Sequence, residues 1–194
     1  ERLSYYSGLS KKFILNSNLR VDASSFRKEL LREEGFSVGR LDARYKGKDY
    51  VVTGQYPDTD ISSEGFSAAY VSALHAWLAE IGVSIKRLYR SGDDELSKNW
   101  DWVSTQKGWP RYVNVAPHIG RAMRENVDFK VYIACGIYDL ATPCYTNTNF
   151  IYDNGIDPSR VRFSEFEGGH MMYNHHPSFD QFLSEVRNFV SENN

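Results

Sequence analysis

Two residues that could act as an acid and a base follow two strand-like segments, the first of them mostly apolar. Asp139 comes shortly after FKVYIACG, and His170 lies four residues beyond Phe166, the last residue of RVRFSEF. Open α/β sheets collect ligands outside the carboxyl ends of their strands. A carboxylate can hold an imidazole in one tautomer, and the imidazole can then move a nucleophile's proton. The pattern therefore predicts a catalytic pair with Asp139 as the acid and His170 as the base.

The segment GFSVG, residues 35–39, offers Ser37 as a candidate nucleophile because it matches G-x-S-x-G, the elbow of many serine hydrolases. An elbow needs a buried strand before the serine and a helix after it. Ser37 instead follows the charged, helical FRKELLREE and precedes an alternating segment. We therefore favour Gly35 as a helix stop. A complete small esterase or lipase-like hydrolase that uses Ser37 remains the alternative.

Histidines and cysteines could also bind a metal or form a disulfide. His170, His175 and His176 cluster, but they lack the helical i, i+4 spacing of a zinc pair and have no Asp or Cys among them. No metal site is predicted. Two cysteines, Cys135 and Cys144, are too few for a disulfide scaffold. We expect free thiols, with Cys135 buried in its strand.

The composition describes a globular protein of 194 residues, with 41% hydrophobic and 25% charged residues. A net charge of −2 gives no indication of binding to nucleic acid or to an anionic membrane surface. No apolar run approaches the roughly 18 residues of a membrane span. The chain begins at Glu1 without a signal-like segment, so we expect a processed or trimmed chain.

The remaining patterns predict an α/β fold class. Before residue 91 we expect a helix capped by Asp22, a strand over residues 37–45 and a helix over residues 66–81 that ends at Gly82. We expect residues 91–112 to be a polar, aromatic-rich connection, and we place the organisational boundary there. After it, the order helix, strand, helix, strand, helix indicates a parallel sheet. Pro117 begins the first of these helices, and Ser178 with Gln181 should form a capping box for the last.

GIYDLATP, followed about thirty residues later by EGGHMMYNHHP, resembles the C-terminal active-site segments of the serine carboxypeptidase family. That family has a Gly before and often a Pro after its catalytic Asp, and a Gly-His followed by a Pro at its catalytic histidine. VGRLDARYKG and YVNVAPHIGRAM resemble the bacterial branch, so the similarity covers most of the chain. The matching positions here are Gly136, Asp139, Pro143, Gly169, His170 and Pro177.

The resemblance implies that Asp139 is the triad acid, that His170 is the triad base and that Met171 lines the pocket for the departing C-terminal residue. It implies a mainly helical cap over residues 1–112 and the C-terminal part of an α/β-hydrolase fold over residues 113–194. The implied reaction removes the C-terminal amino acid of a peptide or protein through an acyl-enzyme on serine, with no metal or cofactor.

The family's nucleophile lies in a Gly-Glu-Ser-Tyr-Gly motif that this sequence lacks. We therefore expect a fragment that is inactive alone and that binds the N-terminal part of the same precursor or self-associates. Many relatives are exported or vacuolar, which weakly favours a periplasmic or extracellular location. A non-enzymatic binding module on a decayed hydrolase scaffold is a further alternative.

Overall fold

The computed structural model describes residues 1–87, 89–101 and 114–192, which form helices and two separate two-stranded sheets. The helices are α1 (Arg2–Ser7), α2 (Lys11–Asn16), α3 (Ala23–Glu29), α4 (Ile61–Glu80), α5 (Asp94–Asn99), α6 (Ala116–Glu125), α7 (Cys144–Asp153) and α8 (His176–Ser191). The strands are β1 (Phe36–Val38), β2 (Lys46–Lys48), β3 (Val131–Gly136) and β4 (Val161–Phe166).

The chain divides into two compact units. The first contains residues 1–65, 130–149 and 159–194, and the second contains residues 66–129 and 150–158. The first unit therefore holds both Asp139 and His170. The boundary predicted at residue 112 lies outside the described residues, so the division into residues 1–112 and 113–194 stays a prediction.

The parallel strand pair of the first unit forms at the two strand-like segments predicted from the sequence. β3 pairs with β4 in parallel, in a register from Val131 opposite Val161 to Gly136 opposite Phe166. Aromatic side chains of α8 pack on this pair: Phe182 contacts both Tyr132 and Phe166. The Tyr132 hydroxyl also lies 3.0 Å from a carboxylate oxygen of Glu185. The coarse prediction of a mixed α/β chain is thus confirmed.

Helix α3 starts at the predicted cap, where the Asp22 carboxylate accepts hydrogen bonds from the N–H groups of Ser24 and Ser25. After a 3₁₀ turn, Gly35 adopts a left-handed conformation with φ of 74°, which glycine tolerates without a Cβ penalty. β1 then pairs antiparallel with β2. The strand predicted over residues 37–45 is therefore wrong beyond Val38.

Asp42 explains why that strand stops. Its side chain accepts a hydrogen bond from the Arg44 N–H at 3.0 Å, and its carbonyl accepts one from the Tyr45 N–H at 3.1 Å. An aspartate side chain that bonds the backbone two residues ahead makes a turn and competes with strand pairing. The apparent alternation over residues 40–45 therefore belongs to a tight turn between β1 and β2.

Two basic side chains of α3, Arg27 and Lys28, are buried and contact β1 and the chain that follows β2. Arg27 donates from Nε to the Val38 carbonyl at 3.0 Å. Lys28 Nζ lies 2.5 Å from an oxygen of Asp49 and 2.6 Å from the Val51 carbonyl oxygen. Buried charges persist only when they are paired and hydrogen-bonded. These two side chains therefore fix β1 and the chain after β2 against α3.

The second unit contains most of α4 and all of α6. The predicted helix over residues 66–81 corresponds to most of α4, which begins earlier, at Ile61, and ends one residue earlier, at Glu80; Gly82 has φ of 76°. α6 has its predicted proline in the first turn. Gly120 faces the chain after α7, where a Cβ would lie 2.3 Å from the Asn154 carbonyl oxygen. None of the described helices combines the length and the apolar composition that crossing a bilayer requires.

The capping box predicted for the last helix is wrong. α8 begins earlier, at His176, with His175 as its N-cap and the proline in its first turn. Ser178 therefore lies inside the helix, where its hydroxyl donates to the Glu167 carbonyl at 2.7 Å. Proline at the start of a helix loses no backbone hydrogen bond, which explains the earlier start.

Candidate functional site

The first unit brings Asp139 and His170 into direct contact. Oδ2 of Asp139 lies 2.8 Å from Nδ1 of His170. The loops that carry them leave neighbouring strand ends, because the parallel pairing continues beyond β3: the Ile137 N–H donates to the Phe166 carbonyl at 3.0 Å, and the Tyr138 N–H donates to the Gly168 carbonyl at 2.9 Å. The carboxyl ends of β3 and β4 therefore position this Asp139–His170 pair.

The Asp139 carboxylate is buried and richly hydrogen-bonded. Oδ1 accepts the N–H groups of Ala141 at 2.7 Å and Thr142 at 3.0 Å, and Oδ2 accepts the Thr142 hydroxyl at 2.8 Å. Burial alone would raise the pKa of Asp139. The hydrogen bonds from Thr142, His170 and Ala141 outweigh it and hold that pKa below its ordinary value. Asp139 is thus kept charged as an acceptor.

The His170 side chain is partly exposed to solvent. Its side chain is 43% exposed, and within the described residues no group hydrogen-bonds its Nε2. An ionised carboxylate can only accept a hydrogen bond, so Nδ1 carries the proton in this contact and Nε2 of the neutral ring keeps its lone pair. This is the tautomer in which an imidazole can take a proton from an external group.

Glycines allow the backbone around the pair to pack closely. A Cβ on Gly136 would lie 2.0 Å from the Gly169 carbonyl oxygen, and one on Gly169 would lie 2.1 Å from the Leu41 carbonyl oxygen. Neither glycine has a positive φ. Close backbone approach, rather than a left-handed turn, therefore requires glycine at both positions.

The two cysteines form a disulfide, so the prediction of free thiols is wrong. Cys135 at the end of β3 is bonded to Cys144 at the start of α7, with Cα atoms 5.5 Å apart. The turn after β3 reverses the chain and brings α7 back to the strand end, within the range a disulfide spans. The bond closes the loop that carries Asp139.

The other predicted residues lie apart from the pair's hydrogen bonds. Ser37 is 1% exposed in β1, opposite Gly47 of the antiparallel strand. Met171 follows His170 and is half-buried. His175 contacts the Ser178 hydroxyl at 2.8 Å through Nδ1. Across residues 1–87, 89–101 and 114–192, no three His, Cys, Asp or Glu residues are grouped to hold a metal.

Two residues that contribute to the site, Thr142 and Leu41, were not predicted from the sequence. Thr142 follows Asp139 by three residues, the spacing of a local turn in which an aspartate accepts backbone and hydroxyl groups, and this spacing could have identified it. Leu41 contributes a backbone carbonyl, which accepts the His170 N–H at 2.5 Å. A carbonyl is common to every residue type, so no sequence signal marks Leu41.

Comparisons of the chain with protein-family models, with curated proteins and with solved structures find no match in any of the three.

Proposed function

We propose that the chain supplies the acid and the base of a serine-type carboxypeptidase whose nucleophile lies on another segment. The observation that carries this proposal is the contact between a buried, charged Asp139 and Nδ1 of an accessible His170, at 2.8 Å. In a serine hydrolase that contact fixes the tautomer and stabilises the imidazolium that forms. The resemblance of GIYDLATP and EGGHMMYNHHP to carboxypeptidase segments narrows the class to C-terminal exopeptidases.

His170 Nε2 would take the proton of a serine hydroxyl as the serine attacks the scissile carbonyl. The imidazolium would return that proton to the leaving amino acid, which leaves an acyl-serine for water to hydrolyse. Met171, half-buried beside the base, would line the pocket for the departing residue. These steps use no cofactor and no metal.

We place the nucleophilic serine on another segment because Ser37 does not fit the role of nucleophile. Its side chain is nearly inaccessible, and it lies in an antiparallel strand rather than at a strand-to-helix turn. No serine in the part of the chain that the structure describes is hydrogen-bonded to His170 Nε2. The proposed enzyme is therefore assembled from this chain and an upstream part of the same precursor, on an α/β-hydrolase fold.

The incompletely covered strands of the first unit favour the binding of a partner. β3 and β4 pair only with each other among the described residues. Tyr132 and Ile133 are only half-buried, whereas strands of parallel sheets are usually covered on both faces. An added strand and its helices would bury this surface. The Cys135–Cys144 disulfide favours an oxidising compartment, and hence export.

A fluorophosphonate probe tests the assignment. The chain alone should give no serine adduct and no peptidase activity. Joined to the upstream part of its gene product, it should give one adduct outside residues 1–194 and release C-terminal amino acids. His170→Ala should lower that activity by a factor on the order of 10⁴ or more, and the exposed His176→Ala is the matched control.

Other results would favour the alternatives. A stoichiometric adduct on Ser37 would replace the proposal with a small esterase that uses this serine. An upstream sequence with no reactive serine, together with an inactive joined protein, would favour a binding module.

A further inference from the structure

Residues 40–43, here called the bridging segment, touch both loops of the Asp139–His170 pair. On the acid side, the Leu140 N–H donates to the Arg40 carbonyl at 3.1 Å, and the Ala43 N–H donates to the Tyr138 carbonyl at 2.9 Å. On the base side, the His170 N–H donates to the Leu41 carbonyl. The segment thus fixes the backbone on both sides of Asp139 relative to the backbone of His170.

The side chains of Ser62 and Asp60 form a hydrogen-bond network with the backbone of the bridging segment. The Leu41 N–H donates to the Ser62 hydroxyl at 3.0 Å, and that hydroxyl donates to Oδ1 of Asp60 at 2.6 Å. The same oxygen accepts the Arg40 N–H at 2.8 Å. Ser62 is fully buried. The amides of two consecutive residues of the segment therefore depend on one serine and one aspartate.

Charge and packing reinforce this network. Burial would raise the pKa of Asp60, but hydrogen bonds from Ser62 and Arg40 and the positive charge of Arg27 lower it. Arg27 Nη2 lies 3.5 Å from Asp60 Oδ1. Gly39 packs on the serine, since a Cβ there would lie 2.7 Å from Ser62 Cβ. The network has little space in which to rearrange.

We propose that Ser62 and Asp60 are positioning residues for His170, acting through the Leu41 carbonyl. Without the Ser62 hydroxyl, the Leu41 N–H loses its partner at a part-buried position beside the fully buried Ser62, and the segment must move to regain a hydrogen bond. That movement withdraws the carbonyl that holds the His170 backbone, and the ring leaves its short contact with Asp139. The proposal rests on the proposed function only in calling His170 a base.

Proton NMR of the whole chain tests the proposal without an activity assay. The His170 Nδ1–H held by Asp139 should give a low-field signal at a pH where free imidazole is neutral. In Ser62→Ala this proton should exchange with water at least about tenfold faster, and the His170 amide signal should shift. Ser63→Ala is the matched control, because the Ser63 hydroxyl bonds Asp60 at 3.2 Å but not the bridging segment.

A separate variant covers the case in which Ser62→Ala fails to fold. Asp60→Asn replaces the charged oxygen that accepts the Ser62 hydroxyl and the Arg40 N–H by a neutral amide oxygen, so both hydrogen bonds and the ion pair with Arg27 weaken. It should also speed the exchange of the Nδ1–H. The proposal is overturned if a folded Ser62→Ala keeps the wild-type exchange rate of the Nδ1–H and an unshifted His170 amide signal. If Ser62→Ala does not fold, the same result in Asp60→Asn overturns it. The fluorophosphonate result does not bear on this outcome, so the two proposals fail separately.

Discussion

Thr142 hydrogen-bonds both carboxylate oxygens of Asp139, with its N–H 3.0 Å from Oδ1 and its hydroxyl 2.8 Å from Oδ2. Thr142→Val removes the hydroxyl but keeps the N–H and the side-chain shape. Because the hydroxyl bonds the ionised carboxylate, its loss should raise the pKa of Asp139 towards the ordinary value. The free energy of unfolding at neutral pH should fall by about 1–2 kcal/mol.

The pH dependence of this loss has a definite sign. The folded-state pKa of Asp139 lies below the ordinary value of 3.8, so its stabilisation is complete above that value and disappears as the pH falls through the folded pKa. The stabilities of wild type and Thr142→Val should therefore converge in acid. Urea unfolding across pH and carboxyl ¹³C titration measure both effects, with Thr142→Ser as the control. Equal stabilities at neutral pH would contradict the prediction.

The Cys135–Cys144 disulfide should stabilise the loop that carries Asp139. Replacing both cysteines by serine should lower the free energy of unfolding by roughly 2–3 kcal/mol, as expected for so short a closed loop. Thermal unfolding of the wild type with and without reductant should reproduce the difference. Reductant should leave the double variant unchanged. A wild type that is insensitive to reductant while its thiols become free would show that the bond is not stabilising.

Gly169→Ala should damage the site through backbone crowding. The added Cβ would lie 2.1 Å from the Leu41 carbonyl oxygen and 2.5 Å from Asp42 Cβ, so either the loop or the bridging segment must shift. Overpacking of this kind lowers stability by about 1–3 kcal/mol. Gly92→Ala, which meets no atom within 4 Å, is the control. Denaturant unfolding compares the two, and similar stabilities would refute the close approach.

Replacing only one residue of the buried Lys28–Asp49 ion pair should lower the stability far more than replacing both. Both Asp49 oxygens are buried, and Lys28 Nζ lies 2.5 Å from one of them. Lys28→Met leaves that carboxylate uncompensated and should lower stability by about 3–5 kcal/mol. Lys28→Met combined with Asp49→Leu should recover much of the loss.

Lys11 provides the comparison for this pair, because its contact with Glu1 is exposed to solvent. Lys11→Ala should leave the unfolding midpoint unchanged within error, since exposed ion pairs contribute little. If Lys28→Met were equally harmless in urea unfolding, the pair could not be buried as described.

The sequence identified the parts of the site that local patterns encode. Strand-like segments predicted β3 and β4, and polar residues after their ends indicated Asp139 and His170, because strand ends and turns depend on neighbouring residues. The pairing of Cys135 with Cys144 and the Leu41 carbonyl contact depend on how distant segments meet. The capping box failed for a different reason, because Pro177 offered a competing helix start upstream of Ser178.

The bridging segment also determines which residues must be moved together if the Asp139–His170 pair is grafted onto another protein. Leu41 and His170 are more than a hundred residues apart in the sequence, and closing such a long loop has an entropic cost that only the assembled fold offsets. A graft of residues 113–194 onto another scaffold would carry the two parallel strands and both side chains, but not the carbonyl that holds the histidine loop. The residues that hold the Asp139–His170 pair together are therefore discontinuous in the sequence, and the first of these stretches runs from α3 to the start of α4.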